Sequence, residues 1–194
     1  MTLSPDRVSP STVSLEACET YQKQSYRNRA YILAGDGIQT LQVPVVHAAS
    51  MRIDEVRVDW STPWLIRTQR ALDAAYYTSA YYEYYRDDLF AVMDARPERL
   101  WDWNLSLVQF LMEKTGVASV LTPTSSFVPP SEAVPDDFRY TIHPKRPYGV
   151  LSSMGLDRPY YQVFADRFGF TPNLSVLDLL FNEGPDSLLW LKKI

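Results

Sequence analysis

Residues 21–29 read YQKQSYRNR, in which Lys23, Arg27 and Arg29 stand among two tyrosines, an asparagine and two glutamines, with no carboxylate. Three like charges within roughly 20 Å of strand repel one another by about 1 kcal/mol per close pair in water, so acids from elsewhere or a bound anion must offset them. Arginine offers a planar fork of donors to phosphate or carboxylate, and lysine a compact point charge. If the stretch is extended, Tyr21, Lys23, Ser25, Arg27 and Arg29 share one face, while Gln22, Gln24, Tyr26 and Asn28 share the other. An anion cradle is one reading. A solvated strand face, or one neutralised by Asp and Glu of neighbouring strands, is the other.

Tyrosines at 76, 77, 81, 82, 84 and 85 supply ring faces and hydroxyls suited to a sugar or a nucleobase. Packing into the core with the hydroxyls at the surface is the competing role. His143, in TIHPKRP beside Lys145 and Arg146, is the better histidine candidate for moving a proton, a task that imidazole suits as a residue type. His47 follows the apolar VPVV. Neither histidine has a second His or Cys at metal-ligand spacing, and there is no glycine-rich phosphate loop or serine elbow, so no metal and no cofactor is expected. Asp178 and Asn182 lie one helical turn apart and would face a pocket together. Ser175 and Asp178 also have the spacing of a helix-capping box.

The elements that must position these residues follow from the periodicity. AYIL and IQTLQVPVV flank a Gly-Asp-Gly tip, a hairpin signal, and Pro44 predicts that the second strand lies at an edge or ends early. MRIDEVRVDW reads as a half-exposed strand with Val56, Val58 and Trp60 on one face. Thr62 and Pro63 predict a helix start, with Thr62 as cap and Pro63 in the first helical position. That helix breaks at Thr78 and Ser79, a second runs to about Met93, and a third over NLSLVQFLMEK stops at Gly116. VASVL is a short strand, and residues 122–158 are a proline-rich loop. A helix from Pro159 to Gly169 and two short helices, in NLSVLDLLFN and PDSLLWL, complete the chain. The order predicts an α+β fold: a small mixed or antiparallel sheet from the N-terminal half packed against several helices. Residues 1–14 are expected to be a disordered arm, and 15–194 a single domain.

With 194 residues, 14 prolines against 7 glycines, and 46% hydrophobic residues, the chain is long and apolar enough for one core but must contain many connections. The net charge of −4 gives no global pull toward nucleic acid or an anionic membrane, so any anion site is local. No apolar run of about 18 residues predicts a membrane span, and the opening residues lack the apolar middle of a secretory signal. A cytoplasmic location is expected. The single Cys18 closes no intrachain disulfide and reads as incidental.

Two long segments carry a family resemblance. KQSYRNR, with the GDG and LQVPV that follow and the YYEYY region, together with PNLSVLDLLFNEGP, resembles the WbqC-like protein family over roughly residues 19–191. The resemblance implies a part in bacterial O-antigen or other surface-polysaccharide biosynthesis, with a sugar nucleotide or other phosphorylated small molecule as ligand. An enzyme of that kind would be a transferase placing an acyl or aminoacyl group on a nucleotide-linked amino sugar. Lys23, Arg27 and Arg29 would hold the diphosphate, with Asn28 beside them. Tyr81 and Tyr84 would line the sugar site, and His143 or Asp178 would move the proton. The alternative is a noncatalytic assembly or scaffold protein of the same pathway, docking a protein partner or a second copy through the tyrosines. The resemblance also implies an aromatic-rich segment of the kind YFPxIxYF ahead of ETYQKQSYRNR. MTLSPDRVSPSTVSLE stands in its place, so a first structural element is expected to be missing or shortened.

Overall fold

The structure, a computed structural model, describes residues 11–46, 49–130, 137–146 and 149–192. His47 and the first part of the expected arm, residues 1–10, lie outside them. The later part of that arm is a strand, β1 (Ser11–Leu15), which pairs in parallel with β6 (Ser119–Pro123) from Ser11↔Ser119 to Leu15↔Pro123. The expectation of disorder to residue 14 is corrected at this point. Alternation of small hydroxyl residues with Val13 and Leu15 gives a ladder its partner completes, and the Ser11 and Ser119 hydroxyls bond at 2.8 Å.

The hairpin forms as its tip predicts: β2 (Arg29–Ala34) pairs antiparallel with β3 (Gly37–Gln42), from Arg29↔Gln42 to Ala34↔Gly37. Gly37 has φ 118°, a conformation that favours glycine. Pro44 has no amide hydrogen, and the strand changes partner there. β4 (Val45–Val46) pairs with β5 (Arg57–Val58), Val45 opposite Val58. The expected strand over MRIDEVRVDW is shorter than its pattern. Ile53–Glu55 is a 3-10 turn, which puts Ile53 into the core beside Val56 and Val58. Among the described residues the expected single sheet is thus three two-stranded ladders, and the α+β class holds.

Three helices follow, of which α1 (Trp64–Tyr76) packs on β2, with α2 (Tyr82–Asp94) and α3 (Leu100–Thr115) packed on one another. Thr62 makes no cap and Pro63 is itself the residue before the first turn, one position earlier than expected. Gly116 ends α3 at φ 77°, as its placement predicts. Tyr76, Tyr82 and Tyr85 are buried with Leu72, Leu89, Leu100, Leu180 and Phe181, so half of the tyrosine cluster is core. Among its described residues the long loop holds one short helix, α4 (Gly149–Ser153).

The helix expected over residues 159–169 is reduced to one turn, α5 (Ala165–Phe168). Tyr160 and Gln162, two residues apart on non-helical backbone, both reach the Asp178 carboxylate at 2.7 and 3.0 Å. A helix would turn them to different sides. The last helices are α6 (Val176–Glu183) and α7 (Ser187–Leu191), joined by a 3-10 turn at Gly184–Asp186. Ser175 caps α6 by accepting from the Leu177 amide, but Asp178 does not complete a capping box because its side chain is used inside the fold.

Candidate functional site

Residues 23–28 are turns and bends, and none of residues 21–28 belongs to a strand. The Ser25 hydroxyl donates to the Gln22 carbonyl at 2.7 Å, and Gln24 takes φ 59°. Such local side-chain bonds let short polar residues outcompete a ladder. Asn28 then anchors the segment to the hairpin: its Nδ2 donates to the Val43 carbonyl at 3.0 Å, while the Val43 amide donates to the Asn28 carbonyl at 2.9 Å. The three cations therefore do not share a face. Lys23 is exposed. Arg27 donates through Nε to Glu19 Oε1 at 2.7 Å, forming a largely buried ion pair. Arg29, half-buried at the start of β2, makes no side-chain hydrogen bond or ion pair among the described residues, and its Nε is buried without a partner.

Arg29 opens onto a cavity of about 380 Å³, with Tyr26, Arg27 and Asn28 beside it. Its opposite walls are helical: Trp64, Thr68 and Leu72 of α1, Leu89 and Met93 of α2, and Trp103, Asn104, Leu107 and Leu111 of α3. Trp64 stacks on Trp60 at 5.0 Å between centroids, and Trp103 meets both rings edge-on, which fixes the aromatic wall. Some polar groups here are already engaged, while Asn28 Oδ1, like Arg29 Nε, is buried without a partner among the described residues. Asn104 Nδ2 donates to the Arg27 carbonyl at 2.7 Å, and Ser175 Oγ accepts from the Leu177 amide. Arg29 is thus a single cation without a counter-charge in a mostly apolar chamber, among the described residues.

Tyr26 forms part of the boundary between this cavity and its neighbours. Its hydroxyl accepts from Asn173 Nδ2 at 2.9 Å, and burial pushes its phenol above the usual range. On one side lies a second chamber of about 340 Å³ lined by Leu15 of β1, Glu16, Glu19, Arg27, Asn104 and Arg139. Burial raises the Glu16 carboxyl. Bonds from the Val128 amide, Thr124 and the Cys18 amide, with the Arg139 charge, outweigh burial and hold the group below its ordinary value. On another side, Tyr26 shares a small pocket with His143 and Arg146. His143 Nδ1 accepts from the Lys145 amide at 3.1 Å, so the neutral ring carries its proton on Nε2.

The other expected site residues are placed apart from Arg29. Asp178, 1% exposed, accepts from Tyr76 at 2.8 Å, Tyr160 at 2.7 Å and Gln162 at 3.0 Å. Burial raises its carboxyl despite these donors. Burial and then the Asp178 charge push both phenols up and keep them as donors. Asn182 lies a turn further on and donates to the Asp178 carbonyl at 2.7 Å. Neither residue is part of the Arg29 cavity wall. Tyr81 packs over Gly184, and Tyr84 is 76% exposed, so neither lines the cavity.

Sequence reasoning passed over Asn104, Tyr26 and Glu19. Asn104 carried a signal, as a polar residue amid the apolar stripe of α3. Tyr26 and Glu19 carried none, because their positions depend on turns fixed by tertiary contacts. Among the described residues no group of three or more His, Cys, Asp and Glu is arranged to hold a metal ion, and no helix is long and apolar enough to cross a membrane.

A family model, described as the WbqC-like protein family, matches residues 11–138. The match takes in β1, the turns, the hairpin and α1 to α3, and ends before His143 and Asp178. Comparison with curated proteins and with solved structures gives no match.

Proposed function

The chain belongs to the WbqC-like protein family, and from that premise we propose that it acts in bacterial surface-polysaccharide biosynthesis as a transferase that binds a nucleotide-linked amino sugar in the Arg29 cavity. One observation carries the reading: an arginine with no counter-charge among the described residues lines a half-open cavity of about 380 Å³. A guanidinium nitrogen buried without a partner, as Arg29 Nε is, is costly, and a phosphate offsets that cost with charge-assisted bonds. The volume falls within the range of small-molecule sites. Trp64 and Trp103 offer ring surface to a sugar or base, while Thr68, Gln42 and Asn104 offer polar edges for hydroxyls.

In this reading Arg29 takes the phosphate. Arg27, pinned by Glu19, and Asn28, pinned to Val43, fix the shape of the cavity mouth. Lys23, at the surface, attracts the anion without binding it. His143 is the better placed of the two proton-moving candidates, since Tyr26 walls both its pocket and the Arg29 cavity. Asp178 serves the fold. The test is a thermal-shift panel of UDP- and dTDP-linked amino sugars. A ligand at a hundred times its Kd adds about 2.7 kcal/mol to stability. A melting temperature unmoved by any of them at millimolar concentration contradicts the proposal.

The assembly-protein reading has its own observation. Tyr77 and Tyr84 are 68% and 76% exposed, and large exposed aromatics suit an interface. Replacing Tyr84 with alanine would then abolish capture of a pathway partner while leaving sugar-nucleotide binding intact.

A further inference from the structure

The wall of the Arg29 cavity facing α2 and α3 is made by Leu89, Met93, Leu107 and Leu111, with Leu72 of α1 beside them. The leucines offer a sugar hydroxyl no hydrogen bond, and the Met93 thioether is only a weak acceptor. The Nδ2 groups of Asn28 and Asn104 are spent on the carbonyls of Val43 and Arg27, so these side chains keep chiefly their Oδ1 acceptors for a hydroxyl. That of Asn28 is buried without a partner among the described residues, and neither side chain belongs to the apolar wall. A hydroxyl pressed against this wall gives up water and gains little, whereas a methyl or a short alkyl chain gains from burial. Arg29, on β2, lines the same cavity and asks for one anion. A charge from the hairpin and hydrocarbon from the helices define an amphiphilic ligand.

We propose that the cavity selects a phosphorylated sugar bearing an apolar substituent, the methyl of a 6-deoxy sugar or an acyl chain, seated between α1, α2 and α3 while Arg29 holds the phosphate. The inference rests on the phosphate reading of Arg29 and adds which sugars are accepted. One buried methyl or methylene is worth roughly tenfold or more in discrimination, and a stranded hydroxyl adds to it.

Calorimetric titration of two matched pairs tests it, each pair sharing its nucleotide. dTDP-6-deoxyglucose is compared with dTDP-glucose, and UDP-N-butyrylglucosamine with UDP-N-acetylglucosamine. The expected result is that in at least one pair the more apolar member binds about tenfold tighter, and that pair identifies the substituent as methyl or acyl. Leu107→Asn, at a half-buried position, is expected to erase the preference, with folding checked by circular dichroism. If that variant does not fold, the ligand pairs alone decide. Equal affinities within both pairs, or tighter binding of the more polar members, overturn the selectivity and leave the phosphate site standing. Absence of binding by all four ligands overturns both.

Discussion

At the residue scale, what matters about a charge is whether it has a partner. Arg27 and Arg29 are two positions apart and chemically alike, yet Glu19 engages one while no described residue engages the other. Arg29→Gln therefore costs little stability but weakens binding of a phosphorylated sugar by roughly ten- to a hundredfold, the worth of a charge-assisted hydrogen bond. Asp178 is the reverse case. Three donors converge on it inside the fold, so Asp178→Ala strands them and lowers unfolding free energy by about 3 kcal/mol in urea titration. KQSYRNR was legible as a place where cations gather. Their pairing was not, because Glu19 lies eight positions before Arg27 and meets it only through the turns at Ser25.

At the scale of elements, the strongest local signals decided the outcome where no tertiary bond opposed them. The GDG hairpin, the break at Thr78 and Ser79, and the stop at Gly116 all stand where periodicity and turn chemistry put them. PYYQVFADRF has helical periodicity, but two bonds from Tyr160 and Gln162 to Asp178 hold its first half out of the helix. β1 has no turn signal at all and depends on a partner over a hundred residues away. The turn after α6 makes a sharp prediction. A Cβ on Gly184 would stand 2.6 Å from the Tyr81 ring, at φ 54°. Gly184→Ala is thus expected to cost about 1–3 kcal/mol, from overpacking and a strained backbone together. Loss of the α6 cap in Ser175→Ala costs about 1 kcal/mol by the same measurement. Glu16 ties β1 to residues 124–139 through bonds from Thr124, the Val128 amide and Arg139. Its carboxyl is held below the ordinary 4.5, so its contribution is present above that pH and lost as pH falls through the lowered value. The acid limb of the stability profile should be shallower in Glu16→Gln.

For the whole molecule, a net charge of −4 and an arginine inside a cavity predict a particular salt response. A surface strand carrying three cations would release bound anions as ionic strength rises, whereas a pair partly buried in a cavity is screened less. Raising salt from about 50 to 200 mM should weaken sugar-nucleotide binding by less than about threefold. The α+β class was readable from the order of elements, and the family from KQSYRNR and the hairpin and YYEYY region after it, which fall within the matched residues 11–138, whereas PNLSVLDLLFNEGP lies beyond them. The cavity was not readable, because it exists only where β2, β3 and three helices leave space between them. Its central feature is Arg29. Titration of a UDP- or dTDP-linked amino sugar into the unaltered protein and into Arg29→Gln measures that feature. Saturable binding that falls at least tenfold in the variant, with the melting temperature of the free protein unchanged, is the predicted result. Equal affinity in the two proteins would contradict it.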